Sequence, residues 1–384
     1  MLSLFRRRRS PQVRIETPAI SSICRNVNNT TYDKRCLLLY LTRPFLAGTP
    51  PHTHQNVWQM KELAKCIGEH RYDVDVVDAF AERAAITERY DFIVDIHPKA
   101  TSLYSDHLTA DCIKIAYMTS SHSAHRNSSE RRRLDDLERR RGVRLLPRRQ
   151  MEPINDTWLR LADGMFFLGN QRNLSTYGES RPQHVHFIKN TGYDFLTPKY
   201  FMGKNPNSFL FIASGGQVHK GLDLILEAFA GRPHLELFVC SSFAEEEDFC
   251  STYNRELYKT SNIHPVGYVD IGDRMFRDIA DVCSFALLPS CSEANAGSVL
   301  TAMSAGVIPI VSRECGFEDG EVHYLRESTI DEIGRTADEY AQKSLQWIVA
   351  EAARIAVVAK MRNGTEQYSK SVRAALSAVI ENHR

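Results

Sequence analysis

The stretch Leu287–Val311, LLPSCSEANAGSVLTAMSAGVIPIV, decides how the rest of the chain is read. An apolar run ends at Pro289-Ser290 and gives way to a polar loop of small residues around Glu293. A short amphipathic helix is expected from about Ser298, stopped by Gly306, with a second apolar strand behind it. A small-residue loop that opens a helix offers unpaired backbone N–H groups and the positive end of the helix dipole, both suited to an anion. The Glu293 carboxylate, just upstream, is an acceptor for hydroxyl groups. Phosphate and sugar held together at the carboxyl end of a strand describe a nucleotide-sugar site. The plainer alternative is a solvated glutamate in an ordinary strand–loop–helix unit.

A second stretch, Phe209–Ala230 (FLFIASGGQVHKGLDLILEAFA), has the same form. A strand runs into Ser214-Gly215-Gly216, and a helix follows Lys220-Gly221. The glycines allow close backbone approach, and Lys220 is a compact cation near a helix start. Two phosphate-friendly loops in one set of strands place function at the carboxyl ends of a doubly wound sheet.

These two stretches, with Asn262–Asp270 (NIHPVGYVD), resemble the C-terminal half of retaining GT-B glycosyltransferases of the family 4 type. The resemblance covers residues 205–320 well and the N-terminal half more loosely. It implies an α/β fold of two Rossmann-like, doubly wound parallel-sheet domains facing each other across a cleft. It implies that Lys220 contacts the donor diphosphate, that Glu293 takes the donor sugar hydroxyls, and that Gly297 and Ser298 give backbone N–H groups to the phosphate. The turn Gly267-Tyr268-Val269 would lie near the base. Two positions depart from the family pattern. Thr301 stands where a second glutamate grips the ribose, and Gly215 stands where an arginine precedes the KG lysine. One hydroxyl replaces a carboxylate, and one cation is missing unless another arginine, such as Arg313 or Arg274, substitutes.

Strand-like runs at Cys36–Leu41, Asp73–Asp78, Phe92–Ile96, Ile113–Met118, Met165–Leu168 and His184–Ile188 alternate with helical stretches such as Gln55–Gly68. A second series runs through Phe209–Ala213, Leu235–Cys240, Ile263–Tyr268, Ser284–Leu288 and Val307–Val311. Alternation of this kind implies parallel sheets with right-handed crossovers. The expected organisation is an arginine-rich leader over 1–33, an acceptor domain over 34–195, a linker at Asn190–Pro206, a donor domain over 205–365 and a helix over 366–384. On the acceptor side, the loop 43–55 carries Gly48, His52 and His54, with Thr53 as a candidate helix cap. His97 and His122 each follow a strand end. The resemblance assigns His122 to the donor sugar and acceptor; surface or structural roles stand beside that for every one of these histidines.

The 384 residues carry a net charge of only +1, which excludes a general nucleic-acid signature. Nine cysteines without CxxC spacing fit a reduced, cytoplasmic chain without a zinc site. The arginines near the start are followed by no apolar segment of signal-peptide type. Residues 130–149, ERRRLDDLERRRGVRLLPRR, hold nine arginines and four acids. They read as a solvated helix with acid–base pairs such as Asp135–Arg139, or as a basic surface for an anionic lipid or membrane.

The expected activity is transfer of a sugar from a nucleotide-diphosphate sugar to a glycan or lipid-linked glycan, with retention and without metal or cofactor. Lys220 and the helix start would stabilise the leaving group, and His122 or a backbone carbonyl would position the sugar. A GT-B epimerase or hydrolase, and a nucleotide-sugar-binding protein without activity, are the alternatives.

Overall fold

Apolar runs rich in Val, Ile, Leu and Phe alternate with helices along the chain, and they assemble into two sheets buried on both faces. The structure, a computed structural model, describes residues 23–46, 54–80, 83–99, 101–196 and 203–383. The first sheet contains β1 (Ile23–Cys24), β2 (Lys34–Tyr40), β3 (Tyr72–Asp78), β4 (Tyr90–Ile96), β5 (Leu108–Met118), β6 (Gly164–Phe167) and β7 (Val185–Phe187), in the order β1-β3-β2-β4-β5-β6-β7. The second contains β8 (Asn205–Ile212), β9 (Glu236–Cys240), β10 (Ile263–Pro265), β11 (Cys283–Leu288), β12 (Ile308–Val311) and β13 (His323–Tyr324), in the order β10-β9-β8-β11-β12-β13. All neighbours pair in parallel except β1 with β3. In each sheet the order reverses beside the first central strand, and the loops at that point face the other half.

Four details differ from the sequence reading. Residues 23–33, expected within a loosely packed leader, form an edge strand and a turn fastened to β3. The Asn26 N–H donates to Asp75 at 2.7 Å, and the Thr30 hydroxyl donates to Asp73 at 2.7 Å. β8 starts at Asn205, inside the expected linker, because Pro206 is tolerated at a strand start where its missing N–H costs nothing. β10 ends at Pro265, since the Val266 and Gly267 N–H groups both bond Val239 O and turn the chain at Gly267, where φ is +90°. β13 is a two-residue edge strand, too short to show any periodicity.

The C-terminal helix Thr365–Asn382 returns to the first half. Tyr368, Val372, Leu376 and Val379 join the core built on β2, β4 and β5, and the Tyr368 hydroxyl lies 3.1 Å from that of Tyr117. The arginine-rich helix Ser123–Arg141 reaches the opposite way. Its Leu134 and Leu137, and Leu145 after it, belong to the core of the second half. Arg140 pairs with Asp223 at 2.6 Å and with Glu227, Arg141 with Glu256 at 2.7 Å, and Arg148 with Asp248 at 2.8 Å. Arg139 pairs with Asp136 rather than Asp135. Through Leu134, Leu137, Leu145 and the three arginines Arg140, Arg141 and Arg148, part of this segment is a strut between the halves rather than a wholly solvated or membrane-facing surface. Among the described residues no helix is long and apolar enough to cross a membrane.

Candidate functional site: a cationic cleft between the halves

A cleft of about 760 Å³ opens between the two sheets. Its centre is an ion pair between Lys220 Nζ and Glu293 Oε1, which come from the loops after the adjacent strands β8 and β11. Lys220 ends a one-turn helix, Gln217–Lys220, that has a glycine in the left-handed region on each side, Gly216 at φ +85° and Gly221 at φ +80°. Gly221 also lies so close to the next loop that a Cβ there would meet Pro289 O at 2.7 Å. These glycines let the KG turn sit directly against the Glu293 loop.

Lys220 is buried and Glu293 is partly so, with 13% of its side chain exposed to the cleft. Burial alone would raise the Glu293 carboxyl, but Lys220 and the Ser290 hydroxyl, which donates to Oε1 at 2.7 Å, outweigh it and hold the group down at about 2. Burial lowers Lys220, with Glu293 opposing that shift and Arg149 and Arg126 adding to it. The second and third cations are therefore neither Arg313 nor Arg274. Arg313 pairs with Asp319 and lies over the Tyr324 ring, and Arg274 pairs with Asp278. Arg126 and Arg149 come instead from the arginine-rich helix and the loop after it, and both line the cleft. Arg126 Nε donates to Arg149 O at 2.8 Å, so the two are fixed to one another. Neither makes an ion pair among the described residues, and Arg149 Nε is buried without a partner.

The helix Gly297–Ser304 begins at the same cleft. The N–H groups of Gly297 and Ser298 line it and find no acceptor among the described residues. The Gly297 carbonyl receives two donors, Gln55 Nε2 from the first half at 2.9 Å and Thr301 Oγ1 at 3.0 Å. The Thr301 hydroxyl proton is therefore spent on its own helix, and only its lone pairs face the cleft. A Cβ at Gly297 would meet the Gln55 amide at 2.8 Å, so a small residue is required where the halves touch. The first half also grips the backbone of the Glu293 loop: Ser121 Oγ donates to Glu293 O at 2.6 Å and Asn173 Nδ2 at 3.2 Å.

The other expected residues divide. Gly215 and Gly216 do not line the cleft. The Glu246 carboxylate accepts the Gly216 N–H and the Gln217 N–H, the latter at 3.2 Å, and the Arg149 stem lies against Gly216. The N–H groups of Gly216 and Gln217 are thus satisfied by the protein itself. Tyr268 and Val269 line the cleft, Tyr268 with a largely exposed ring, whereas Gly267 supplies the turn behind them. His122 is placed away from the cleft. It caps the helix Ser123–Arg141 by accepting from the Ala124 N–H at 3.3 Å, and its Nε2 meets Asp156 at 2.9 Å, so both ring nitrogens are engaged.

His97 is the histidine that does face the cleft. It adopts φ +53°, its Nε2 meets Thr119 Oγ1 at 2.9 Å, and its Nδ1 is buried without a partner. Burial pushes its ring down to about 3. His54 lines the cleft and caps the helix Gln55–Glu69 by accepting from the Asn56 N–H at 3.2 Å. Gly48, His52 and Thr53 lie outside the described residues.

Among the lining residues that the sequence reading did not single out are Arg126, Arg149, Gln55 and Tyr193. All but Tyr193 sit on or next to a helix of the first half, and nothing local in the sequence says which way they face.

No family model matches the chain, and no curated protein matches it. Solved structures do. The sucrose-phosphate synthase of Thermosynechococcus elongatus superposes with a TM-score of 0.65 at 11% identity, over 91% of this chain and 100% of that one. HepE of Anabaena, solved in complex with UDP and glucose, gives a TM-score of 0.54 at 13% identity over 90% and 100%. WaaG, a glycosyltransferase involved in lipopolysaccharide biosynthesis, gives 0.54 at 12% identity over 88% and 99%. At such identities the likeness is one of architecture, and it extends over both halves together with their mutual arrangement. The chain has the GT-B fold, two Rossmann-like domains facing across a cleft, that these glycosyltransferases share.

Proposed function

We propose that the chain is a glycosyltransferase that moves a sugar from a nucleoside-diphosphate sugar to a glycan or lipid-linked glycan, with retention of configuration. The observation that carries this reading is the charge arrangement: Lys220, Arg126 and Arg149 converge on one cleft around the partly buried Glu293. That surplus of positive charge, beside the unpaired N–H groups of Gly297 and Ser298, suits a diphosphate. A structure of the same fold, HepE, was solved with UDP and glucose, which supports a nucleotide and a sugar as the occupants.

In the proposed reaction the bond between the anomeric carbon and the diphosphate oxygen breaks, and the acceptor hydroxyl oxygen forms its bond to that carbon from the same face. The acceptor proton passes to a diphosphate oxygen, and the nucleoside diphosphate leaves. Charge grows on the leaving group during this step, and fixed cations stabilise it without reorganisation. Lys220 turns from Glu293 to the diphosphate, which frees Glu293 to accept the sugar hydroxyls. The exposed Tyr268 ring offers a face to the base, and Tyr193 and Thr301 lie along the same wall. His97, not His122, serves the sugar side through its free Nδ1. The protein's own cations supply the charge stabilisation, so the transfer needs no metal. A cytoplasmic location belongs to the proposal, supported by nine unpaired cysteines.

The test is release of nucleoside diphosphate from a panel of nucleotide sugars offered with glycan acceptors, followed by the anomeric configuration of the product. Loss of release in Lys220→Ala with a folded protein, and a product of the donor's configuration, support the reading. Donor binding without release under any acceptor favours a second reading, a nucleotide-sugar-binding protein without activity. That alternative draws on Thr301, whose hydroxyl proton is already committed to Gly297 O.

A further inference from the structure

A second cavity, of about 420 Å³, shares no residue with the cleft and is walled by both halves. Its volume lies within the range of about 300–1,000 Å³ usual for small-molecule sites. Five arginines line it against three carboxylates, a surplus of two positive charges. The arginines are not equally available. Arg172 already pairs with Glu314 at 2.8 Å and Arg313 with Asp319 at 3.1 Å.

Three cations remain. Arg133 is held in place by Nη2, which donates to Pro289 O at 2.7 Å, while its Nη1 is buried with no partner. Arg132 donates to Ser129 Oγ at 3.0 Å and makes no ion pair among the described residues. Arg326 enters from the second half, and its guanidinium is likewise without an ion pair among them. Beside Arg326 stand Glu327, an acceptor for hydroxyls, and Ser328, both donor and acceptor. A fixed guanidinium with an unused N–H, two more free guanidiniums and a neighbouring carboxylate–hydroxyl pair match one ligand chemistry: a phosphate monoester on a polyhydroxylated body. Guanidinium groups bind phosphate oxygens in pairs, and a carboxylate takes vicinal hydroxyls.

We infer that this cavity is a binding site for a sugar phosphate, distinct from the donor cleft. The phosphate lies against Arg132, Arg133 and Arg326, and the sugar hydroxyls meet Glu327 and Ser328. The site also touches the donor side, because Ser290 lines this cavity and donates to Glu293 in the cleft. The inference does not depend on the transferase reading, since it rests on other residues.

The test is titration calorimetry on the full chain with glucose 6-phosphate and, separately, with inorganic phosphate. The expected result is saturable binding of the sugar phosphate, tighter than that of inorganic phosphate. Arg132→Ala and Arg326→Ala, both exposed positions, should each weaken it about tenfold, the loss of one charge-assisted contact. Lys220→Ala should leave it unchanged. No saturable binding at millimolar ligand overturns the inference. So does equal affinity for the two ligands, which means a general anion sink, or loss of binding in Lys220→Ala alone, which places the ligand in the donor cleft.

Discussion

Breaking the Lys220–Glu293 pair has a cost that can be worked from the structure. Glu293 is held at about 2, against an ordinary glutamate value of about 4.3. At about 1.36 kcal/mol per unit, that depression corresponds to roughly 3 kcal/mol of stability at neutral pH. Because the folded value lies below the unfolded one, the contribution is complete above about pH 4.3 and is lost as pH falls toward 2. At pH 3 about half of it remains by the same linkage.

Lys220→Met should therefore lose on the order of 3 kcal/mol at pH 7, in line with the usual penalty for stranding a buried charge. Glu293→Gln strands the lysine instead, and Lys220→Met combined with Glu293→Gln should recover most of the loss. Urea unfolding of the four proteins at pH 7 and pH 3 gives the coupling energy at each. The expected coupling is about 2–3 kcal/mol at pH 7, falling by about half at pH 3. A coupling under about 0.5 kcal/mol, or one that does not change with pH, would refute the buried ion pair as the centre of the site.

Two further outcomes follow from local geometry. His97 and His219 are both kept neutral by burial, at about 3, so the fold should weaken as pH drops below about 6.5. His97→Asn, which keeps a residue tolerant of φ +53°, should remove about 2 kcal/mol of the loss between pH 8 and pH 5 in urea titrations; an unchanged acid slope would contradict the neutral ring. Gly316 sits at φ +77°, where a Cβ would collide with Ala294 O, so Gly316→Ala should cost 3 kcal/mol or more, on the order of other core overpacking and strain effects, and a melting temperature within a degree or so of the parent would speak against that contact.

What the sequence made legible was local. Strand-to-helix loops at Ser214–Lys220 and Pro289–Ser298 show as apolar runs broken by small residues, and Lys220 and Glu293 do meet at adjacent strand ends. The sequence could not reveal partners that lie far off along the chain. Arg149 reaches Gly216 across the halves, and Glu246 takes the N–H groups of the glycine loop from another strand end. His122 could be read either way in the sequence, because a histidine after a strand end and a histidine before a helix are the same position; here its Nδ1 accepts from the Ala124 N–H. His97 was legible only as one histidine among several, since its burial depends on packing between Thr119 and the cleft. The arginine-rich run pointed to charge but not to direction; acids at Asp223, Glu227 and Glu256 turn it inward. The missing arginine before the KG turn is answered from the other half, by Arg126 and Arg149, which no pattern within the loop could show.

The most direct measurement is titration calorimetry of the chain with a panel of nucleoside diphosphates, repeated for Lys220→Ala and Arg149→Ala. The account predicts saturable binding of at least one of them, weakened about 10- to 100-fold by either substitution, as expected for one charge-assisted contact in a buried site. Binding that is indifferent to both residues, or no binding by the folded protein at all, would contradict the claim that this cleft is built for a diphosphate.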